Sequence, residues 1–440
     1  MTPRLFAAFC ALALLTGCDR PLLDQSPPEL EVVSPDPSEV LFTPTATLRV
    51  SADALLGVDR VLISGQDATF DPEDETWVGG VNLSIGANQI PLEAIAMDGT
   101  ARRDTAVLVF APLAVTSPAA DVLPQPRAGL SATPLPTGQT FIAGGITLGA
   151  AVLDTGLLLT EAGGEVTAGP EIALRRRRTG HSATPLANGR VLLLGGIASP
   201  NATANAFVAE PEVFDPLAGA SRRVVTSGDP ILRTGHVALR LDRDGRSYVY
   251  VLGGQVPGGN GPTVPETIQI AEFREGADVD TLLTLTPTLG GANGLPFPDP
   301  TLFVLDAGAE QVLALTAGVD GNASRADRIL FAPRDGRYPY GLTLTSAAAP
   351  AEARTAAAGL GLGSGLSLLV GGRSTTGTAL ASLELYATAA DRWLTFPPSV
   401  TLGTPRWEHA VTRTPSGRIL AIGGRSPTGQ PLATLDVLSY

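Results

Sequence analysis

The chain of 440 residues holds three histidines, His181, His236 and His409, and each stands three places after an arginine: Arg178, Arg233 and Arg406. Three imidazoles brought together would make a zinc-type ligand set. They occupy one position of a repeating phrase, however, and a residue that recurs with a repeat serves the geometry of that repeat. The expectation is therefore one structural hydrogen bond per repeat, with no metal, no cofactor and no catalytic set. A residue that occurs once is the better candidate for a ligand. By that criterion the non-repeating run Arg175, Arg176, Arg177 is the candidate ligand-binding loop, because planar guanidinium groups suit a carboxylate or an acidic sugar. The simpler account of the run is a solvated stretch balanced by neighbouring acids. Asp71, Glu73, Asp74 and Glu75 offer oxygens to calcium but lack a rigid loop signature, so an ordinary acidic turn is expected. Gly258-Gly259-Asn260-Gly261 reads as a flexible loop, since neither a strand-to-helix context nor a lysine follows it.

These residues are set in a recurring phrase, an Arg followed by a hairpin and then a Gly-Gly doublet. Its copies run from Arg127 to Gly144-Gly145, Arg178 to Gly195-Gly196, Arg233 to Gly253-Gly254, Arg354 to Gly371-Gly372 and Arg406 to Gly423-Gly424. From Arg to first Gly the separation is 17 residues in four copies and 20 in the Arg233 copy. Self-similarity of this kind means stacked units rather than one sandwich. Each unit divides into four strands, with Gly in the first hairpin turn, where positive φ is needed. In the second unit these are His181 to Leu186, Val191 to Leu194, Ala209 to Phe214 and Arg222 to Thr226. A further unit around Leu302 to Leu305, Asp306-Ala307-Gly308 and Val312 to Thr316 keeps the frame without the Arg or a full doublet.

The doublets and the intact Arg178-Thr179-Gly180-His181 and Arg233-Thr234-Gly235-His236 resemble kelch repeats over residues 113 to 440. With Ala317-Gly318 standing in the place of the fourth doublet, successive positions differ by 51, 58, 64, 54 and 52 residues, near the period of about 50 for that family. The resemblance implies an all-β fold, a six-bladed kelch-type β-propeller, with the repeated Arg and Gly residues as blade-structural elements and each Arg a blade-to-blade contact. The family's late aromatic is kept only as Trp393. Leu113 to Thr116 or Val122 to Leu123 falls where a strand would close the ring against the last segment, Thr434 to Tyr440. Kelch propellers include galactose oxidase and sialic acid mutarotases. The copper oxidase pattern needs a Tyr-Cys cross-link, which this chain cannot supply once its N-terminus is removed. A mutarotase needs only a few polar groups near the axis.

The N-terminus has the form of a secretory segment: Arg4, an apolar run from Leu5 to Leu15, then Leu15-Thr16-Gly17-Cys18, which resembles a bacterial lipobox. The resemblance implies cleavage and lipid attachment at Cys18, on the outer or inner membrane. Cys10 and Cys18 are the only cysteines, so the mature body has no disulfide or thiolate chemistry. Residues 1–18 are read as the signal, 19–29 as a Pro-rich tether and 30–112 as a small β-sandwich, whose alternating stretch Gly86 to Gly99 resembles bacterial immunoglobulin-like modules. A formal charge of −13, with 30 basic residues that are all Arg, argues against nucleic acid as a partner and against anionic membrane surfaces. The sequence thus points to a monomeric, lipid-anchored binding or scaffolding protein of the bacterial cell envelope. Its propeller loops would contact an envelope protein or glycan, with Phe207, Tyr338 and Tyr340 as available aromatic anchors, and membrane contact would run through the Cys18 lipid alone. The alternatives are a carbohydrate-active enzyme of the sialic acid mutarotase type and a purely structural component.

Overall fold

The computed structural model describes residues 26–118, 120–201, 204–259, 261–265, 267–276, 279–286, 299–307, 311–333 and 340–439. The signal segment, Cys18, the tether up to residue 25, Asn260, Gly308 and Tyr338 lie outside them. Among the described residues the regular structure is β, apart from short 3-10 turns at Leu148–Ala150 and Ala204–Ala206. The chain divides into two compact units. One comprises the described residues up to Asp36 with Thr45–Asn82 and Gln89–Ala106; the other comprises Pro37–Pro44, Leu83–Asn88 and the chain from Val107 onward.

In the first unit, strand Thr45–Asp53 pairs with Glu29–Ser34 on one side and Thr76–Asn82 on the other, while Val58–Ile63 pairs with Gly86–Ala96 in a second sheet. Leu48, Val50, Val61, Ile63, Leu92 and Ala94 are buried on alternate positions, as expected for sheets with one face in a core. The two sheets meet closely at Gly79, where a Cβ would lie 3.0 Å from Ile63 Cδ1. Strand Glu29–Ser34 begins opposite Asp53, at the end of the sheet from which the turn Ala54–Gly57 leaves.

The second unit is a succession of four-stranded antiparallel meanders, spanning 131–168, 182–228, 237–285, 301–347 and 358–395, followed by 410–439, whose outer place is taken by Ala114–Thr116. That strand pairs Ala114 with Ser439 and Thr116 with Val437. In the 182–228 sheet the strands are Ser182–Pro185, Val191–Leu194, Glu212–Asp215 and Ala220–Gly228. Strand three is therefore shorter, and strand four longer, than the apolar runs indicate. The second strands are the most buried, along their whole length at Val191–Leu194 and Ile419–Ile422 and over all but the ends of Arg246–Leu252 and Val312–Asp320. Neighbouring sheets pack face to face, with Phe141 stacked on Phe214 at a centroid distance of 3.8 Å.

The doublet sets that packing. Gly195 and Gly196 have φ of 62° and 86°, and a Cβ on Gly195 would stand 2.5 Å from the Arg233 carbonyl oxygen and 2.8 Å from His236 Cε1 of the next sheet. Only glycine allows both the turn and the approach. One further contact has no counterpart in the repeat pattern. The outer strands Ala220–Gly228 and Asp280–Leu285 pair in parallel, from Val224 with Asp280 to Gly228 with Thr284, and join two sheets into one of eight strands.

Candidate functional site

Each repeated arginine is buried and held by its own sheet. Arg178 donates from Nε and Nη2 to Glu212 at 3.1 and 2.7 Å and from Nη1 to the Gly195 carbonyl at 3.1 Å. Arg354 and Arg406 repeat this with Glu384 and Gly371, and with Asp436 and Gly423. Arg233 uses the neutral Gln269 at 2.9 Å with Gly253 at 3.0 Å, and burial brings its pKa down to about 10. Arg127 takes the Gly144 carbonyl at 3.0 Å and reaches Glu171 at 2.8 Å. The guanidinium is thus not the contact between units; the main chain of the same residue is. The Arg178, Arg233 and Arg406 carbonyls accept from Gly145, Gly196 and Gly372, at 2.9, 2.7 and 2.8 Å. The Arg127 carbonyl accepts from Gly424 at 2.8 Å, linking the last sheet to the first.

Two residues after each Arg the chain turns left-handed, at Gly129, Gly180, Gly235, Ala356 and Glu408, with φ of 62°, 66°, 63°, 49° and 53°. The N–H of Gly235 donates to Gly180, Gly180 to Gly129, Gly129 to Glu408 and Glu408 to Ala356, at 2.8, 2.9, 2.8 and 3.0 Å. These bonds run around a central cavity of about 300 Å³. Asp299 also lines it, and Asp299 precedes strand Thr301–Ala307 by two residues, as Glu408 precedes Ala410. Two carboxyl groups therefore occupy ring positions held elsewhere by Gly129, Gly180, Gly235 and Ala356. A Cβ on Gly129 or Gly180 would lie 2.2 or 2.3 Å from Oγ1 of Thr179 or Thr234. The equivalent of those threonines in the sheet that follows Glu408 is Ala128, whose shorter side chain leaves room for a side chain at 408.

The two acids stand in different surroundings. Glu408 Oε2 accepts from Arg425 Nε at 2.6 Å, and Arg425 lies on one side of Trp407, with Arg373 also over that ring. Asp299 has its pKa pushed up to about 7, first by burial and then by the charge of Glu408. One cavity thus offers a carboxyl group that can carry a proton near neutrality beside a carboxylate held in an ion pair, a pairing suited to acid–base chemistry.

All three histidines line this cavity. His181 Nε2 lies 2.9 Å from Ser131 Oγ, and His236 Nε2 lies 2.9 Å from Ser182 Oγ, each across to the preceding sheet. Ala358 stands where that serine would serve His409, and neither ring nitrogen of His409 has a partner among the described residues. Burial, followed by the nearby arginines, brings His236 and His409 down to about 3 and lowers His181 well below its usual value. The imidazoles share a cavity, yet among the described residues no group of three or more His, Cys, Asp or Glu is placed to hold a metal.

The run Arg175–Arg177 does not line the cavity. The Arg175 main-chain N–H donates to Glu212, Arg176 pairs with Glu210, and Arg177 lies 3.4 Å from Asp154. In the acidic turn Arg49 bridges Asp71 and Asp74 at 2.8 and 2.7 Å, supplying an internal cation. Phe207 and Tyr340 are not exposed anchors, being 7% accessible each; both are spent on packing. Sequence reasoning missed Asp299, Glu408 and the partners of the arginines. Arg406-Trp407-Glu408-His409, read against Arg-x-Gly-His, carries the signal for one of them.

No protein-family model and no curated protein matches the chain. Among solved structures, that of YjhT aligns with a TM-score of 0.50 at 11% identity, covering 71% of this chain and 95% of its own. A fungal alcohol oxidase of the AA5 family, in complex with copper, aligns with a TM-score of 0.45 at 12% identity, covering 93% of this chain and 75% of its own. At such identity the likeness to YjhT is one of fold, and that fold is a β-propeller.

Proposed function

We propose that the chain is a lipid-anchored protein of the bacterial cell envelope whose kelch-type propeller binds a small hydroxylated ligand of the sugar class at its axis. In this reading the propeller has six blades, is closed by Ala114–Thr116, and follows an immunoglobulin-like sandwich. The observation that carries the reading is the presence of carboxyl-bearing residues at two places of the central ring, Asp299 and Glu408, where the others are glycine or alanine, in a cavity of about 300 Å³. That volume is at the lower end for small-ligand sites. Glu408 carries its side chain on left-handed backbone, with φ of 53°, which is unfavourable, and such cost concentrates at functional positions.

The reaction class that fits is reversible opening of a reducing sugar ring. Glu408 would take the proton of the anomeric hydroxyl as the bond from the anomeric carbon to the ring oxygen breaks, and Asp299 would protonate that oxygen. Reversal on the other face returns both protons and yields the other anomer, with no oxidant or reductant. This reading is of the mutarotase type, and it places the ligand on the axis rather than on the Arg175–Arg177 loop.

The test is saturation-transfer and exchange NMR with a panel of neutral and acidic reducing sugars. Glu408→Gln should reduce anomer exchange by about 10²-fold or more, the usual share of a general acid or base, with the circular dichroism unchanged. Joint replacement of Arg175, Arg176 and Arg177 by Ala should leave exchange as it was. Binding lost in the triple variant and retained in Glu408→Gln would reject the axial site.

A further inference from the structure

The first unit carries an apolar tip that packing leaves uncovered. Leu55 and Leu56 are 76% and 46% exposed, and Met97 is 69% exposed. The two turns that bear them are adjacent: the Met97 N–H donates to the Gly57 carbonyl at 3.0 Å, and a Cβ on Gly57 would lie 3.8 Å from Met97 Sδ. Scattered exposed apolar residues need no account, but three large ones on neighbouring turns mark a contact surface.

The pole on which they sit is the one where the chain enters. Glu29, the first residue of its strand, pairs with Asp53, and Leu55 follows Asp53 by two residues. From Cys18 to Glu29 is eleven residues, a span of roughly 35 Å even when fully drawn out as polyproline helix. Whatever holds Cys18 therefore holds this pole near it. A short tether raises the local concentration of its two ends to about the millimolar range, so a weak affinity for the anchoring surface is enough to keep the tip seated.

We infer that Leu55, Leu56 and Met97 form a membrane-contact tip that inserts into the outer edge of the bilayer carrying the Cys18 lipid. The inference rests on the lipid-anchor reading and adds a second, non-covalent contact to it. Beside the tip stand Asp53, Asp59 and Asp98 with Arg60, while Arg103 is taken by Glu93 at 2.9 Å, so the surroundings offer no basic patch. Seating is therefore driven by apolar burial, as for interfacial anchors, and should not depend on anionic lipid.

In the mature lipidated protein Cys18 is blocked, so Leu55→Cys introduces a single free thiol for an environment-sensitive fluorophore. Leu217→Cys, at a residue 91% exposed in the second unit, is the control. Both proteins would be placed in phosphatidylcholine vesicles with and without phosphatidylglycerol, and lipid at Cys18 read separately by mass spectrometry. The expected result is a blue-shifted probe at position 55, quenched severalfold more by spin-labelled lipid than the probe at 217, in both vesicle types. Lipid on Cys18 with equal, weak quenching at both positions overturns the tip and leaves the anchor. A Cys18 without lipid overturns the anchor; vesicle quenching at 55 alone, measured with Cys18→Ser, would then still support the tip, and its absence would reject that too.

Discussion

A side chain in the left-handed backbone region costs about 1–2 kcal/mol relative to glycine, so Glu408, with φ of 53°, should be replaceable by Gly with a gain in stability and a loss of ligand binding. Urea unfolding of Glu408→Gly checks this; a destabilised variant would mean that the carboxylate serves the fold through Arg425. The opposite is expected of the buried pair Arg178–Glu212, whose side chains are 0% and 1% exposed. Arg178→Ala strands a buried carboxylate and should cost about 3–5 kcal/mol, whereas Arg176→Ala, at an exposed pair, should leave stability nearly unchanged. Ala358→Ser offers His409 the hydroxyl that Ser131 and Ser182 give the other histidines, and should stabilise by about 1 kcal/mol. The arginines are legible in sequence because the same residue type recurs in five of the units, 17 or 20 residues ahead of the doublet. Their partners are not, since Glu212, Gln269, Glu384 and Asp436 vary in type and stand 34, 36, 30 and 30 residues away.

At the scale of strands, the parallel ladder between Ala220–Gly228 and Asp280–Leu285 should make these two sheets open together. Asp280, 1% exposed, fixes one end of it by receiving Arg190 at 3.0 Å, with Arg222 at 3.5 Å. Amide exchange should be slower across 224–228 than in the outer strand Glu165–Ala168, and Asp280→Asn should erase the difference. Equal rates in the unchanged protein would deny the ladder any energetic weight. Hairpins and doublets announce themselves through glycine at fixed spacing, so the four-stranded meander could be read from residues such as Gly189 and Gly195-Gly196. Nothing periodic marks which outer edges will pair, because that depends on how far strands such as Ala220–Gly228 run past their own sheet.

Across the whole molecule, the three buried histidines set the dependence of stability on acid. Their folded pKa values lie below 6.5, at about 3 for His236 and His409, so the stability they confer is present above pH 6.5 and lost as pH falls. Asp299 works the other way: its folded value is raised from 3.8 to about 7, so its contribution is present below about pH 4 and lost as pH rises. Between these limits the unfolded chain binds about two more protons than the folded one, and stability should fall by roughly 1–3 kcal/mol per pH unit of acidification. Denaturant midpoints between pH 4.5 and 6.5 measure this slope, and a flat profile would refute it. The central acids escaped the sequence for different reasons: Glu408 sits in a phrase that keeps only its Arg406 and His409, and Asp299 lies in Phe297-Pro298-Asp299-Pro300, where no member of the phrase is left to mark the position.

The pairing of Ala114 with Ser439 has a mechanical consequence. The chain enters the first strand of this closure and leaves the last at the same end of the ladder, so a pull on the two ends peels its hydrogen bonds one after another instead of shearing them together. Under force the propeller should open at this clasp, with the sheets unspooling in turn from that point.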